Sequence, residues 1–249
     1  MSKLPNTKLS DRELWGMIND KLFGYGGEAV VCKNNNPHTL YKIFTRTGTN
    51  IPEGMSENKF QKILRLHENP VEHLVRPIGT ISNQGVLIGY EMTYDQDDHA
   101  LINKITSYDE KKYYLKKTQK ILDYLNERDI IYGDIKDDNV LINEKTGLIT
   151  LCDIDNIQIE ELPIDLMNYA LEQYYDQVGE IDDKVDAYMH NLFFLEQLRY
   201  EGLSYAAILR RLAARPIMPE FPEEVQEIID TLIYPEDFKG EYAIQYIKK

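Results

Sequence analysis

The spacing of apolar residues changes near residue 94, and this change constrains the fold more than any other feature of the chain. Before it, four short apolar runs alternate with polar turns, as strands do, at residues 28–33, 39–44, 75–81 and 86–92. One segment among them, residues 57–68, has helical spacing instead. After residue 94 most apolar residues recur at helical spacing, apart from a small hairpin at residues 140–142 and 148–151. The pattern predicts an α+β fold.

Local signals refine this division. The pairs Ser10/Glu13 and Ser107/Glu110 have capping-box spacing, so each predicts the start of a helix. Three further helices are predicted over residues 185–198, 204–213 and 222–233. The acidic connector at residues 94–98 is the natural boundary, which divides the chain into a strand-rich part, residues 1–94, and a helical part, residues 95–249. We expect the two parts to form one domain together.

Composition excludes several classes of function. The 249 residues carry a formal net charge of −14, which repels phosphate backbones and argues against a nucleic-acid partner. No stretch reaches 18 apolar residues, so we expect no membrane partner. The only two cysteines, Cys32 and Cys152, lie far apart in apolar contexts that fit reduced thiols. We therefore expect a cytoplasmic protein, although a bacterial effector delivered into a host cell would have the same features.

Two features of the strand-rich part are typical of phosphate binding. A glycine-rich turn containing Gly24, Gly26 and Gly27 lies between predicted strands, where glycine lets backbone amides approach phosphate oxygens. Lys42 lies among apolar residues on a predicted strand, where a desolvated ammonium needs an anionic partner. Each feature alone is weak, because most glycine-rich turns are only turns and most strand lysines face solvent.

The helical part contains a more specific pattern. Asp134 follows a helix and an apolar pair, and Asn139 comes five residues later at the start of a predicted strand. Asp153 ends the next apolar strand, fourteen residues after Asn139. This resembles the protein-kinase catalytic loop, with Tyr132-Gly133-Asp134 in place of His-Arg-Asp, followed by Asp153-Ile154-Asp155 in place of Asp-Phe-Gly. The combination is similar to a divergent group of bacterial protein-kinase-like proteins.

The resemblance spans residues 22–198 and implies a two-lobed fold that uses ATP with Mg²⁺ or Mn²⁺. The implied nucleotide contacts are the amides of Gly24, Gly26 and Gly27 over the phosphates, Lys42 on the α- and β-phosphates, and backbone groups of Glu91–Thr93 on the adenine. Asp134 would orient the substrate hydroxyl and accept its proton, and Lys136 would neutralise the transferring phosphoryl group. Asn139 and Asp153 would hold the metal ion. A buried Asp186 would support the catalytic loop.

Several positions depart from the kinase pattern. No glutamate falls cleanly where the helix partner of Lys42 belongs: Glu57 is the nearest candidate, and strict alignment places Phe60 there. Gly133 replaces the arginine that receives an activation-loop phosphate, and residues 153–186 contain no serine or threonine. Control by loop phosphorylation is therefore not expected. Asp155 replaces glycine and would either bind a second metal ion or cap a turn.

The leading hypothesis is ATP-dependent phosphorylation of a protein serine or threonine, because Lys136 resembles the serine/threonine class. The partners would be a protein substrate or an activating protein. Two alternatives remain: a pseudokinase that binds nucleotide without turnover, and a small-molecule phosphotransferase of the aminoglycoside-kinase type. Nucleotide binding without transfer would distinguish the first alternative from both enzymes.

Overall fold

A six-stranded sheet organises the first of two units into which the chain divides. The computed structural model describes residues 4–94, 99–143, 145–165, 167–214 and 218–247. Its two units are Met1–His99 and Ala100–Lys249. The boundary predicted after residue 94 lies close to this division, and residues 95–98 of the predicted connector lie outside the described residues.

The first unit combines six strands with two helices. They are β1 (Asn6–Leu9), α1 (Asp11–Asp20), β2 (Leu22–Tyr25), β3 (Ala29–Lys33), β4 (Thr39–Phe44), α2 (Glu57–Glu68), β5 (Pro77–Asn83) and β6 (Val86–Thr93). The strand order is β1-β5-β6-β4-β3-β2, and every neighbouring pair is antiparallel except β1 with β5. The predicted hairpins of β3 with β4 and of β5 with β6 are therefore confirmed.

Helix α1 covers one face of this sheet. Ser10 caps it with the predicted reciprocal hydrogen bonds to Glu13. Its buried residues Leu14 and Ile18 pack in one cluster with Ile43 and other side chains of the sheet. Burying each of these aliphatic side chains stabilises the fold by about 2 kcal/mol.

Strand β1 is an element that the apolar pattern does not predict. It runs parallel to β5 at the edge of the sheet, with Asn6 opposite Thr80 and Leu9 opposite Asn83. The Asn83 Nδ2 group also donates to the Leu9 carbonyl oxygen at 3.0 Å. Backbone pairing and amide side chains hold the strand, so its apolar signal is small.

The second unit is mainly helical, with short strands among the helices. Its elements are β7 (His99–Leu101), α3 (Tyr108–Asn126), β8 (Ile130–Ile131), β9 (Val140–Asn143), β10 (Ile149–Leu151), β11 (Gln158–Ile159), α4 (Tyr169–Val178), α5 (Val185–Leu198), α6 (Tyr205–Leu212) and α7 (Glu223–Thr231). Strands β10, β9 and β7 form one small sheet, and β11 pairs with β8. The predicted hairpin of β9 and β10 and the three C-terminal helices are confirmed within two residues.

Helix α5 is the central helix of this unit. Its residues from Val185 to Gln197 are all buried, which is typical of a helix surrounded by other elements. Its first turn lies under the segment that joins β8 to β9, where the predicted catalytic residues occur. None of the helices in the described ranges combines the length and the apolar character needed to cross a lipid bilayer.

Candidate active site

Asp186 fixes the backbone that leads into the candidate site. It lies in the first turn of α5, and its two carboxylate oxygens accept hydrogen bonds from the backbone N–H groups of Tyr132, at 3.0 Å, and Gly133, at 2.8 Å. Complete burial raises the pKa of Asp186 to about 7, while the two N–H donors act to lower it. The predicted support of this loop by Asp186 is confirmed.

The backbone at Gly133 explains why a glycine stands where the kinase pattern has arginine. Its φ of 72° lies in the left-handed region, which disfavours side chains. A Cβ atom there would also lie 2.6 Å from Ile164 Cδ1. The backbone conformation therefore favours glycine at this position, and a larger residue would also have to displace the end of the Ile164 side chain.

The Asp134 carboxylate is held by three N–H donors. Its Oδ2 atom accepts from Lys136 Nζ at 2.8 Å and from Asn139 Nδ2 at 3.0 Å. Its Oδ1 atom accepts from Asn168 Nδ2 at 2.8 Å. The residue is only 9% exposed, so these contacts fix the carboxylate in one orientation. The structure thus brings together Asp134, Lys136 and Asn139, which the sequence assigned to one site.

Asn168 is a site residue that the sequence analysis missed. It caps α4, because its side-chain oxygen accepts from the backbone N–H groups of Ala170 and Leu171, each at 3.0 Å. Asparagine before a helix is a recognised capping signal, so the cap itself was predictable. The direction of its amide nitrogen toward Asp134 follows from tertiary packing and has no local sequence signal.

Lys136 places its ammonium group beside Asp134, the candidate catalytic base. Its side chain is 39% exposed, and its ammonium lies against Asp134 Oδ2. Burial acts to lower the pKa of Lys136, but the charge and hydrogen bond of Asp134, together with Asp153 and Asp138, raise it overall. The lysine therefore stays protonated, as charge neutralisation at a transferring phosphoryl group requires.

Asn139 and Asp153 are suited to hold a hard cation. Asn139 donates its Nδ2 group to the Asp134 backbone oxygen at 2.8 Å, so its amide oxygen faces the other way, toward Cys152 Sγ at 4.0 Å. Asp153 follows Cys152 directly, with a left-handed φ of 63°. An amide oxygen and a carboxylate are ligands that Mg²⁺ prefers. The pair fits a magnesium ion, and the metal site stays a prediction.

Asn139 and Asp153 stay the candidate metal ligands. The described residues contain no cluster of three or more His, Cys, Asp or Glu that could hold a metal ion. Asp155, the other carboxylate of the Asp-Ile-Asp segment, is 3% exposed and lies inside a short 3₁₀ turn, Ile154–Asn156. Its predicted roles, in a second metal site or as a turn cap, stay predictions.

Tyr132 occupies the position of the kinase histidine. It connects the loop that carries Asp134 to the segment that carries Asp153. Its hydroxyl donates a hydrogen bond to the Cys152 backbone oxygen, immediately before Asp153. The side chain is 1% exposed. Burial, followed by the negative charges around it, raises the pKa of Tyr132 well above its usual value, so the hydroxyl remains a donor.

The glycine-rich turn belongs to the first unit. Neither backbone conformation nor crowding explains its glycines. Gly24, Gly26 and Gly27 have no left-handed φ, and among the described residues a Cβ atom on any of them would meet nothing closer than 3.9 Å. The Gly26 N–H group donates to the Ala29 oxygen at 2.8 Å and closes the turn. Open space above glycine backbone fits the approach of a phosphate group.

Lys42 lies on β4, one of the two middle strands of the same sheet. It is 8% exposed, pairs with Tyr90 of β6, and its ammonium lies 5.8 Å from the centroid of the Phe44 ring. Strand β6 approaches closely here because Gly89 has no side chain; a Cβ atom there would lie 2.1 Å from the Lys42 backbone oxygen. The ammonium is therefore held in a largely desolvated position, as the sequence predicts.

Helix α2 has no glutamate among its buried residues. Glu57 lies exposed in its first turn and accepts from Gln61 Nε2 at 2.6 Å. The buried positions of α2 are Lys59, Lys62, Ile63 and Leu66. The pairing of Glu57 with Lys42 stays a prediction, and the exposed position of Glu57 does not favour it.

The predicted adenine contacts lie at the end of β6. The Glu91 side chain accepts from Asn34 Nδ2 at 2.7 Å. The Thr93 backbone N–H group donates to the Arg76 oxygen at 2.9 Å, so it is engaged within the first unit. Adenine contacts by Glu91–Thr93 stay a prediction and would use other backbone groups of this segment.

Comparisons with known proteins agree with the kinase resemblance. The chain is 31% identical over 144 residues to a mitogen-activated protein kinase homolog of Nicotiana tabacum, NTF3, and to homolog 1 of Petunia hybrida. It is 29% identical to mitogen-activated protein kinase 7 of Arabidopsis thaliana. Each match covers 53% of this chain and 37% or 38% of the relative, so the chain spans less than two fifths of these relatives.

No protein-family model matches the chain. The bacterial and divergent character that the sequence suggested therefore stays a prediction. The weak similarity to protein kinases agrees with the α+β architecture, in which a six-stranded sheet unit precedes a helical unit. Together these findings support a protein-kinase-like family for this chain.

Proposed function

We propose that the chain transfers the γ-phosphoryl group of ATP to a serine or threonine hydroxyl of a protein. One observation carries the proposal: the Asp134 carboxylate is oriented by Lys136, Asn139 and Asn168. Three donors occupy three of its roughly four acceptor positions, and the remaining one, on Oδ1, suits a substrate hydroxyl. The kinase names of the relatives favour a protein acceptor over a small molecule.

Each side chain then has a distinct part in the reaction. Bound ATP with Mg²⁺ or Mn²⁺ would supply the phosphoryl group and neutralise part of its charge. Asp134 accepts a hydrogen bond from the substrate hydroxyl and takes its proton as the new oxygen–phosphorus bond forms, while the bond from the γ-phosphorus to the bridging oxygen breaks and ADP leaves. Lys136 stabilises negative charge on the transferring oxygens, while Asn139 and Asp153 would hold the metal ion when it is bound.

The nucleotide-binding residues of the first unit complete this proposal. Gly24, Gly26 and Gly27 would let backbone amides contact the phosphates, because no described atom lies closer than 3.9 Å to where their Cβ atoms would be. Lys42 would pair with the α- and β-phosphates from its desolvated position on β4. The backbone of Glu91–Thr93 would contact the adenine.

We also propose that activity does not depend on phosphorylation of the segment after Asp153. Residues 153–186 contain no serine or threonine, and Gly133 has no side chain to bind a phosphate. Asn168, in the middle of this segment, instead donates a direct hydrogen bond to Asp134. Constitutive activity, or activation by a protein partner, follows from this arrangement.

A pseudokinase is the second candidate, because the buried residues of α2 include two lysines and no glutamate that could pair with Lys42. The test is transfer of labelled phosphate from [γ-³²P]ATP to the chain and to generic protein substrates, with Mg²⁺ or Mn²⁺. Wild type is compared with Asp134→Ala, Asp153→Ala and the control Asp138→Asn, which alters an exposed carboxylate of the same loop.

Labelling by wild type and the control, but by neither alanine variant, is the expected result. Equal labelling by all four proteins would refute the assignment of Asp134 and Asp153. An inert wild type whose melting temperature rises with ATP would instead favour the pseudokinase.

A further inference from the structure

An ion pair connects α2 to the glycine-rich turn. Lys59 Nζ lies 3.0 Å from Glu28 Oε2. The Lys59 side chain is 11% exposed and that of Glu28 is 35% exposed, so water screens the pair only in part. Lys59 occupies a buried position of the helix, one turn after the Ser56 cap. The ion pair therefore joins a helix and a loop that are far apart in the sequence.

Phe44 fixes the position of this lysine. The Lys59 ammonium lies 4.6 Å from the centroid of the Phe44 ring, a distance typical of cation–π contact. Phe44 pairs with Ala29 across the β3–β4 ladder, and the neighbouring Thr45 N–H group donates to the Glu28 backbone oxygen at 2.8 Å. The ring, the carboxylate and the ammonium thus lie at the start of β3.

Glu28 is the next residue in the chain after the glycine-rich turn, which is expected to bind phosphate. It follows Gly27, whose backbone oxygen accepts from the Gly48 N–H group at 3.2 Å. A carboxylate one residue from that turn would repel the phosphates of a nucleotide unless a cation neutralised it. Lys59 supplies that cation.

We propose that Glu28 and Lys59 are a positioning pair, which holds the glycine-rich turn against α2 and neutralises the turn's own carboxylate. The pair gives α2 a connection to the nucleotide-binding turn through a lysine, where the kinase pattern uses a helix glutamate on the strand lysine. The effect of the pair on nucleotide binding rests on the proposed function. The connection of the turn to α2 does not.

Two measurements test the two parts separately. Amide hydrogen exchange of residues 24–29 in the nucleotide-free full chain reports how firmly the turn is held. The KM for ATP and kcat report the effect on the nucleotide. The variants are Lys59→Met, Glu28→Gln and the charge exchange Glu28→Lys/Lys59→Glu. Lys33→Met is the control, because it removes another lysine near an aromatic ring, that of Phe23.

We expect both single variants to exchange faster at residues 24–29 and the charge exchange to restore protection. Lys59→Met should raise the KM for ATP about tenfold with little change in kcat, since it leaves a bare carboxylate beside the phosphates. Glu28→Gln removes that repulsion and should raise KM less. Lys33→Met should change neither exchange nor KM.

Unchanged exchange in Lys59→Met would overturn the proposal whatever the activity. So would a charge-exchange variant that melts like wild type but keeps the raised KM. If wild type transfers no phosphate while exchange responds as expected, the proposed function fails and the connection of the turn to α2 stands.

Discussion

Asn168 joins the first turn of α4 to the carboxylate of Asp134. Its amide oxygen accepts the N–H groups of Ala170 and Leu171, and its amide nitrogen donates to Asp134 Oδ1 at 2.8 Å. One side chain therefore starts a helix and orients the candidate base. The segment that precedes α4 cannot move away without releasing Asp134.

Asn168→Asp separates these two roles. Aspartate caps a helix as well as asparagine does, so the melting temperature should change little. It cannot donate a hydrogen bond when ionised, and it places a second negative charge beside Asp134. We expect kcat to fall at least tenfold with the KM for ATP nearly unchanged, as measured by steady-state transfer kinetics.

Ser107→Ala is the matched control for this variant. Ser107 caps α3 by accepting from the Glu110 N–H group, and among the described residues no hydrogen bond joins it to Asp134. Its loss should cost about 1 kcal/mol of stability and leave kcat unchanged. An Asn168→Asp enzyme with wild-type kcat would show that the hydrogen bond to Asp134 is unimportant.

Periodicity identified the elements that bury one face. Helix α2 was predicted over the residues it occupies, and the β3–β4 hairpin lies within a residue of its prediction, because apolar spacing directly reflects burial. Strand β1 was missed since its backbone pairing with β5 has no apolar pattern. Helix α4 was not delimited in the sequence, although the whole region was expected to be helical.

The site residues that kinase-like spacing places close together in the chain could be predicted from the sequence. Those that only the packing of helices brings together could not. Asp134, Lys136 and Asn139 lie within six residues, so local geometry brings them together. Asn168 reaches them across 34 residues of chain, and Lys59 reaches Glu28 across 31. Such pairs depend on how helices pack, and a single sequence contains no local signal for that.

Two glycines of the first unit should respond to alanine in opposite ways. Gly26 has open space around it, so Gly26→Ala should leave stability unchanged or raise it by up to about 1 kcal/mol. Its new methyl group would obstruct the phosphates and raise the KM for ATP about tenfold. Gly89→Ala would place a Cβ atom 2.1 Å from the Lys42 oxygen and should cost about 3 kcal/mol or more.

Urea unfolding and transfer kinetics on both glycine variants check this contrast. A Gly26→Ala chain that is strongly destabilised would mean that the turn is packed against something in solution. An unchanged KM in the same variant would remove the glycine-rich turn from the nucleotide site.

Activity should not respond to removal of phosphate from the chain. The tyrosines of residues 153–186 are Tyr169 and Tyr175, which are 53% and 42% exposed, and Tyr174, which is fully buried. Phosphatase treatment and the variant Tyr169→Phe/Tyr175→Phe should each leave kcat within about twofold of the untreated wild type. A loss of activity in the treated wild type that the double variant does not show would assign a regulatory phosphate to one of these tyrosines.

His190 should make the fold sensitive to acid. It is fully buried on α5, with Nε2 donating to the Leu115 oxygen at 3.0 Å and no partner for Nδ1 among the described residues. Burial lowers the pKa of His190 to about 4, against a usual 6.5. Between these pH values the unfolded chain takes up a proton at this residue and the folded chain does not. The part of the free energy of unfolding that depends on neutral His190 is therefore fully present above pH 6.5 and is lost as pH falls toward 4.

Protonation of His190 lowers the free energy of unfolding by about 3 kcal/mol over that pH range. Asp186 acts in the opposite direction, because its pKa is raised to about 7 in the folded chain and its proton uptake favours folding as pH falls. A comparison of wild type with His190→Gln by urea unfolding at pH 7.5 and 4.5 isolates the histidine. The variant should lose less stability than wild type on acidification, because glutamine takes up no proton. The same loss in both proteins would mean that His190 is not held neutral.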